Sequence, residues 1–258
     1  MCLILVAWRS HLQHKLLVAA NRDEFYARPT AAAHFWNDAP HILAGRDLEQ
    51  GGTWLGITTS GRFAALTNVR NPQATIGKLS RGLLVSDFLN SNATPEQFLQ
   101  QLQTTISNYS PFNILLGDGE NLYYGNSAGA FCELQPGVYG LSNAALDTPW
   151  PKVTAGKQAL HLLISQEAIA TEPDVEQLFE LLANEDQADD TELPDTGVGL
   201  ALEQQLSARF IHMDGYGTRC STVVSHSYSG KIQFLEKQFD HTKQATDTVR
   251  YLFDYQPS

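Results

Sequence analysis

Cys2-Leu3-Ile4-Leu5-Val6-Ala7-Trp8, answered a few residues later by Leu16-Leu17-Val18-Ala19-Ala20 and then Asn21-Arg22-Asp23-Glu24, sets the architecture of this chain. The first run is apolar without interruption, as a strand buried on both faces must be. The second is of the same kind and ends in a polar tetrad. Two such runs joined by a short polar link pair as a hairpin, which brings Asp23 close to the chain start. Loss of Met1 would leave Cys2 as first residue, with a thiol and a free α-amine on one carbon. An α-amine titrates near about 7.7–8.0, so it can take the proton of an adjacent nucleophile at cellular pH. By position alone a small buried thiol is the commoner reading. The polar groups gathered at strand ends shift the balance towards chemistry.

The chain has 258 residues and a formal net charge of −11. That length suits one large domain, and we expect a single domain over residues 1–258. With no surplus of basic residues to neutralise phosphates, nucleic acid is not an expected partner, and neither is an anionic membrane surface. No apolar run reaches the length of a membrane span, and no basic leader precedes the first hydrophobic stretch. Three scattered cysteines, Cys2, Cys132 and Cys220, make no disulfide framework. They agree with a reducing compartment, so the expected location is cytoplasmic.

Further strand-like runs cover Thr53–Thr59 and Arg62–Asn68. Helical spacing follows in Ser80–Asn90, and Thr94-Pro95-Glu96-Gln97 is a helix-start signature. Strands return at Phe112–Gly117, Leu122–Tyr124, Phe131–Leu134 and Val138–Leu141, with Asp118-Gly119 as a hairpin turn. Ala155–Ser165 and Asp174–Leu182 read as helices, the acidic stretch Asn184–Thr196 as a solvated loop, and Thr218–His226 and Lys231–Phe239 as the two last strands. Blocks of strands and helices that do not alternate as βαβ units point to an α+β fold. A sandwich of two sheets between two helical layers satisfies the pattern.

Polar groups end several apolar strands: Asn68 and Arg70 after Phe63-Ala64-Ala65-Leu66, Ser142 and Asn143 after Val138–Leu141, and Thr218 and Arg219 before Cys220–Val224. Together they supply carboxamides and guanidinium groups, the equipment for orienting a carbonyl and holding an oxyanion. Eight histidines show no metal-ligand spacing, so no metal is expected. Gly51-Gly52-Thr53-Trp54-Leu55-Gly56 lacks the Lys-Ser/Thr of a phosphate loop and reads as a turn into a strand.

These residues resemble the NRDE family, also called the transport and Golgi organisation protein 2 family. The blocks that carry the resemblance are Met1-Cys2-Leu3-Ile4, Ala20–Tyr26 with Arg28-Pro29-Thr30, Ala44-Gly45-Arg46-Asp47, Gly51–Gly56, Thr67–Arg70, Ser80-Arg81-Gly82, Gly140–Asn143, Pro149-Trp150-Pro151-Lys152 and Tyr216–Arg219. The resemblance implies a four-layer αββα sandwich of the N-terminal-nucleophile (Ntn) hydrolase type. A more distant resemblance links the chain to the bile-salt hydrolase and penicillin V acylase group. It maps the nucleophile onto Cys2, an Asn-x-Asp onto Asn21 and Asp23, an oxyanion carboxamide onto Asn143, and a late Thr-Arg onto Thr218-Arg219. Where those acylases carry an arginine just before the Asn-x-Asp, this chain has Ala20, with Arg22 inside the motif.

The expected activity is hydrolysis of a small acyl-amide. Cys2, Asp23, Asn143 and Arg219 are the expected catalytic residues, Asn21, Arg22, Asn68 and Arg70 the expected substrate contacts, and no cofactor is needed. The family resemblance also implies an alternative, a non-enzymatic carrier of haem or of acyl-CoA or lipid.

Overall fold

The computed structural model describes residues 2–165 and 175–256. The expected helix start at Asp174 and the chain-initial Met1 lie outside the described residues.

Two antiparallel sheets carry the fold. The first is ordered β10 (Gly137–Leu141), β1 (Cys2–Trp8), β2 (His14–Phe25), β12 (Tyr216–Ser227), β13 (Lys231–Phe239) and β14 (Ala245–Asp254), with the two-residue β11 (His212–Met213) paired to β12. The second runs in chain order through β3 (Thr30–Phe35), β4 (Ile42–Asp47), β5 (Leu55–Thr58), β6 (Phe63–Asn68), β7 (Phe112–Gly117), β8 (Leu122–Asn126) and β9 (Phe131–Glu133). Helices α1 (Gly82–Asn90) and α2 (Pro95–Leu102) cover the second sheet. Helices α3 (Pro151–Ser165) and α4 (Val175–Leu182) cover the first, and a short α5 spans Leu200–Gln205.

Side chains alternate across a strand, and this partitions the core into three. Ile4, Val6 and Trp8 of β1 face the other sheet and join Leu43, Ile57, Phe63 and Leu115 in the layer between the sheets. Leu3, Leu5 and Ala7, from the same strand, face α3 and α4 and meet Val153, Leu160, Leu178 and Leu182. A third cluster lies between α1, α2 and the second sheet, around Phe88, Leu99, Phe112 and Ile114. Each fully buried Leu or Phe of this kind contributes about 2 kcal/mol. The result is the four-layer αββα sandwich.

The helix-start signature is realised as a capping box: Gln97 N donates to Thr94 Oγ1, and Thr94 N donates to Gln97 Oε1. Gly52 has a stricter role than a turn, because an added Cβ there would lie 2.5 Å from the Gly82 backbone at the start of α1. No helix among the described residues is long and apolar enough to cross a membrane.

Three expectations need correction. The strand over Leu16–Ala20 does not end before Asn21-Arg22-Asp23-Glu24: β2 continues to Phe25, because β1 pairs Asn21 and Arg22 on one side and β12 pairs all four on the other. Strands β3 and β4 occupy a stretch in which no strand was expected. The last strand is not β13 but β14, whose alternating Val249, Tyr251 and Phe253 pack on the inter-sheet core while the residues between them face out.

Buried histidines mark the end of the first sheet away from Cys2. His11 Nδ1 accepts the backbone N–H groups of Gln13 and His14. Burial, with the His11 charge second, pushes His14 down to about 4; burial, with Lys15 and His14 behind it, does the same to His226. The unfolded chain takes up these protons near the ordinary histidine value of about 6.5 and the folded chain resists until about 4. Their contribution to stability is therefore complete above about pH 6.5 and lost as the pH falls towards 4. Thermal melts between pH 7 and pH 4 should show a falling midpoint whose slope is reduced in His14→Gln and His226→Gln.

Candidate functional site

Cys2 begins β1 with its side chain on the inter-sheet face, directly opposite Arg22 in β2; across β2 the same Arg22 faces Cys220 in β12. Residues directly opposite in antiparallel strands share a face, so Cys2, Arg22 and Cys220 form one row. Two strand spacings, about 9–10 Å, separate the thiols, which is too far for a disulfide. Both are free cysteines.

This row opens into a cavity of about 410 Å³ between the ends of the sheets, with Asn68, Arg81 and Arg219 also in its wall. Charged groups dominate the lining. Arg28 is paired to Asp47 at 2.7 Å and Arg22 lies 3.7 Å from Glu24. Arg219 donates instead to the carbonyl oxygens of Phe25, Tyr26 and Arg28 at 2.9, 3.2 and 3.0 Å, and Arg81 to that of Pro111 at 3.1 Å. These two guanidinium groups are thus oriented by backbone dipoles. Arg219 owes its freedom to a β-bulge: the β2–β12 register passes from Thr218 opposite Asp23 to Cys220 opposite Arg22, leaving Arg219 as the extra residue.

Asn21 and Asp23 fall on the other face of β2, towards the helices. Asn21 is fully buried, donates to the carbonyls of Leu182 and Arg209, and accepts from Ser221 Oγ. Asp23 accepts from Thr218 Oγ1 at 2.8 Å, and its backbone N–H supports the Cys2 sulfur. Tyr216 OH donates to the Asp23 carbonyl at 3.0 Å. Burial pushes the Asp23 carboxyl up against the pull, first, of the chain's α-amine and then of Lys152, the Thr218 hydroxyl and Arg22. The Cys2 thiol is likewise raised by burial.

Behind the cavity wall, Asn143 Nδ2 donates to the Asn68 carbonyl at 2.8 Å, and Ser142 Oγ lies 3.0 Å from the Cys2 carbonyl oxygen. Arg70 turns inwards too. Its guanidinium is bonded to Glu203, it lies 4.7 Å over the Trp150 ring, and its backbone N–H donates to the Asn143 carbonyl. Glu203 also accepts the Thr196 N–H at 2.8 Å.

The structure therefore brings Cys2, Arg22, Asn68 and Arg219 to one cavity, whose edge Asp23 reaches from the other face of β2. It sets Asn143 immediately behind Asn68, and spends Asn21 and Arg70 on buried contacts away from the lining. Reading the sequence missed Arg81 and Cys220 as members of the cavity wall and Lys152 as a buried charge behind it. Arg81 and Lys152 stood in quoted blocks of the resemblance, whereas Cys220 carried no signal beyond following Thr218-Arg219. Among the described residues no group of three or more His, Cys, Asp or Glu side chains is placed to hold a metal ion.

The fold is that of the Ntn-hydrolase-like proteins. The chain superposes over its full length on 98% of the C2A mutant of conjugated bile acid hydrolase from Clostridium perfringens, with a TM-score of 0.52 and 8% identity. Residues 1–241 match the family described as Transport and Golgi organisation 2, and the chain belongs to that family. It is 37% identical to the mouse Transport and Golgi organization 2 homolog over 92% of each chain, and 37% identical to the human homolog over 94% of each.

The Arg70–Glu203 pair is closed from solvent, with side chains 6% and 2% exposed. Removing one partner strands the other charge. Glu203→Gln should cost about 3–5 kcal/mol in urea unfolding, and the double variant with Arg70→Met should cost less than that single change. A loss below about 1 kcal/mol would show that the pair is not mutually required.

Proposed function

We propose that this protein is a cysteine Ntn amidohydrolase acting on a small acyl-amide once Met1 has been removed. The observation that carries the reading is the place of Cys2: second in the chain, in the cavity wall, beside Asp23 and opposite Arg22. The fold shared with a bile acid hydrolase whose cysteine at position 2 had been replaced by alanine supports it.

Burial keeps the Cys2 thiol protonated at neutral pH, so a base is required. In the shortened chain the Cys2 α-amine, held by Asp23, takes the thiol proton as the sulfur attacks the substrate carbonyl carbon. The Asn68 carboxamide receives the oxyanion, with Asn143 holding the Asn68 backbone in place and Arg219 and Arg22 stabilising charge. The protonated amine passes its proton to the leaving nitrogen, the C–N bond breaks, and a thioester remains. Water, deprotonated by the same amine, then attacks the thioester; the thiol is restored and a carboxylic acid leaves. The haem-carrier alternative draws no support from the described lining residues, among which there is no His, Met or Tyr and whose thiols burial raises.

Protein isolated from its own host should have an intact mass lacking Met1 and should hydrolyse members of a panel of N-acyl amides. Cys2→Ala should lower the rate by about 10⁴-fold or more with an unchanged melting temperature. A Cys2→Ala variant that retains its rate, or active protein that retains Met1, would overturn the reading.

A further inference from the structure

Lys152 is the second residue of α3 and is 3% exposed. Among the described residues, nothing accepts a hydrogen bond from its Nζ. A fully enclosed ammonium without a partner costs several kcal/mol, and such a group persists where charges around it compensate. Helix α3 brings it there through close approaches at two glycines. An added Cβ at Gly156 would lie 2.9 Å from Leu5 of β1, and one at Gly140 would lie 2.7 Å from Val153. Lys152 is one turn before Gly156 on the same helix face, and α3 follows closely on the end of β10, where Ser142 Oγ lies 3.0 Å from the Cys2 carbonyl oxygen, so Lys152 lies over β1 towards its Cys2 end. That is the face of the first sheet to which alternation assigns Asp23.

We propose that Lys152 is a positioning residue of the site: its enclosed ammonium is a second counter-charge, beside the α-amine, standing behind the Asp23 carboxyl and the Cys2 thiol, and it acts on chemistry only through them. The proposal rests on the amidohydrolase reading for its catalytic meaning. Lys152 does not line the cavity, so it touches no substrate. The charged groups that face it are Asp23 from β2, Cys2 from β1, Arg70 from the segment after β6 and Glu203 from α5. Arg70 is already bonded to Glu203. The α-amine and Arg22 are the further positive groups that act on both Asp23 and Cys2. Burial pushes Lys152 down to about 8, and Asp23 is the foremost of the groups that hold it up. The coupling is reciprocal, since Lys152 lowers the Asp23 carboxyl.

The test is the pH dependence of Cys2 alkylation by iodoacetamide in the full chain, read at Cys2 by peptide mass spectrometry. Alkylation needs no substrate, so a protein that hydrolyses nothing still answers the question, and failure of the hydrolase reading stays distinct from failure here. Lys152→Met should move the alkylation midpoint up by about one pH unit, which is about tenfold slower alkylation below both midpoints. Lys152→Arg should restore most of the difference, and Asp23→Asn should move the midpoint down. A merely structural lysine would alter the melting temperature and leave the midpoint in place. An unmoved midpoint in folded Lys152→Met, or an equal shift in Lys152→Arg, overturns the proposal. If Lys152→Met does not fold, ¹³C titration of lysine side chains in the unaltered protein decides. One lysine near 8 that falls further in Asp23→Asn supports the proposal, and lysines all titrating at their ordinary value of about 10.4 overturn it.

Discussion

The antiparallel pairing of β1 with β2, in the register that sets Cys2 against Arg22, is the constraint on which the rest of the molecule depends. Because side chains alternate, this one register sends Cys2 and Arg22 to the inter-sheet cavity and Asn21 and Asp23 to the helical side. A slip of one residue would exchange the two sets. The hydrophobic alternation of β1, with Ile4, Val6 and Trp8 inward and Leu3, Leu5 and Ala7 outward, makes such a slip prohibitive. The chemistry of the site is thus secured by apolar packing several residues away.

The division of labour among the polar groups follows. Residues on the helical side are enclosed: Asn21 ties β2 to α4, and Arg70 with Glu203 ties the segment after β6 to α5. Residues on the cavity side retain unspent donors. Arg219 and Arg81 are steered by backbone carbonyls rather than neutralised by carboxylates, so their positive charge stays available to whatever enters the cavity.

Much of this was legible in the sequence. The uninterrupted apolar run of β1 and the capping signature at Thr94 each encode one local preference that packing reinforces, and both appear as read. Elements whose identity comes from their neighbours were not legible. Strand β2 looked finished at Ala20, since four consecutive polar residues carry no strand signal until the flanking strands that pair them are known. Strand β14 exposes alternate side chains at a sheet edge, and its Thr-Asp-Thr composition hides the inward Val249, Tyr251 and Phe253. Asn21 and Arg70 were correctly seen as polar groups at strand ends, but which face each takes depends on register and is invisible along the chain. Lys152 was concealed for a related reason: a lysine at a helix start is ordinarily solvated, and only the glycine-permitted docking of α3 encloses it.

The extra residue in β12 gives that strand two phases. Thr218 and Cys220 are two positions apart and in an unbroken strand would point the same way; here the first serves the carboxyl on the helical side and the second joins the thiol row in the cavity. A single inserted position thus lets one strand furnish both layers, and it releases an arginine to fasten the Phe25–Thr30 crossing between the sheets. The parity change, more than any side chain within it, couples the two halves of the sandwich at the place where Cys2 stands.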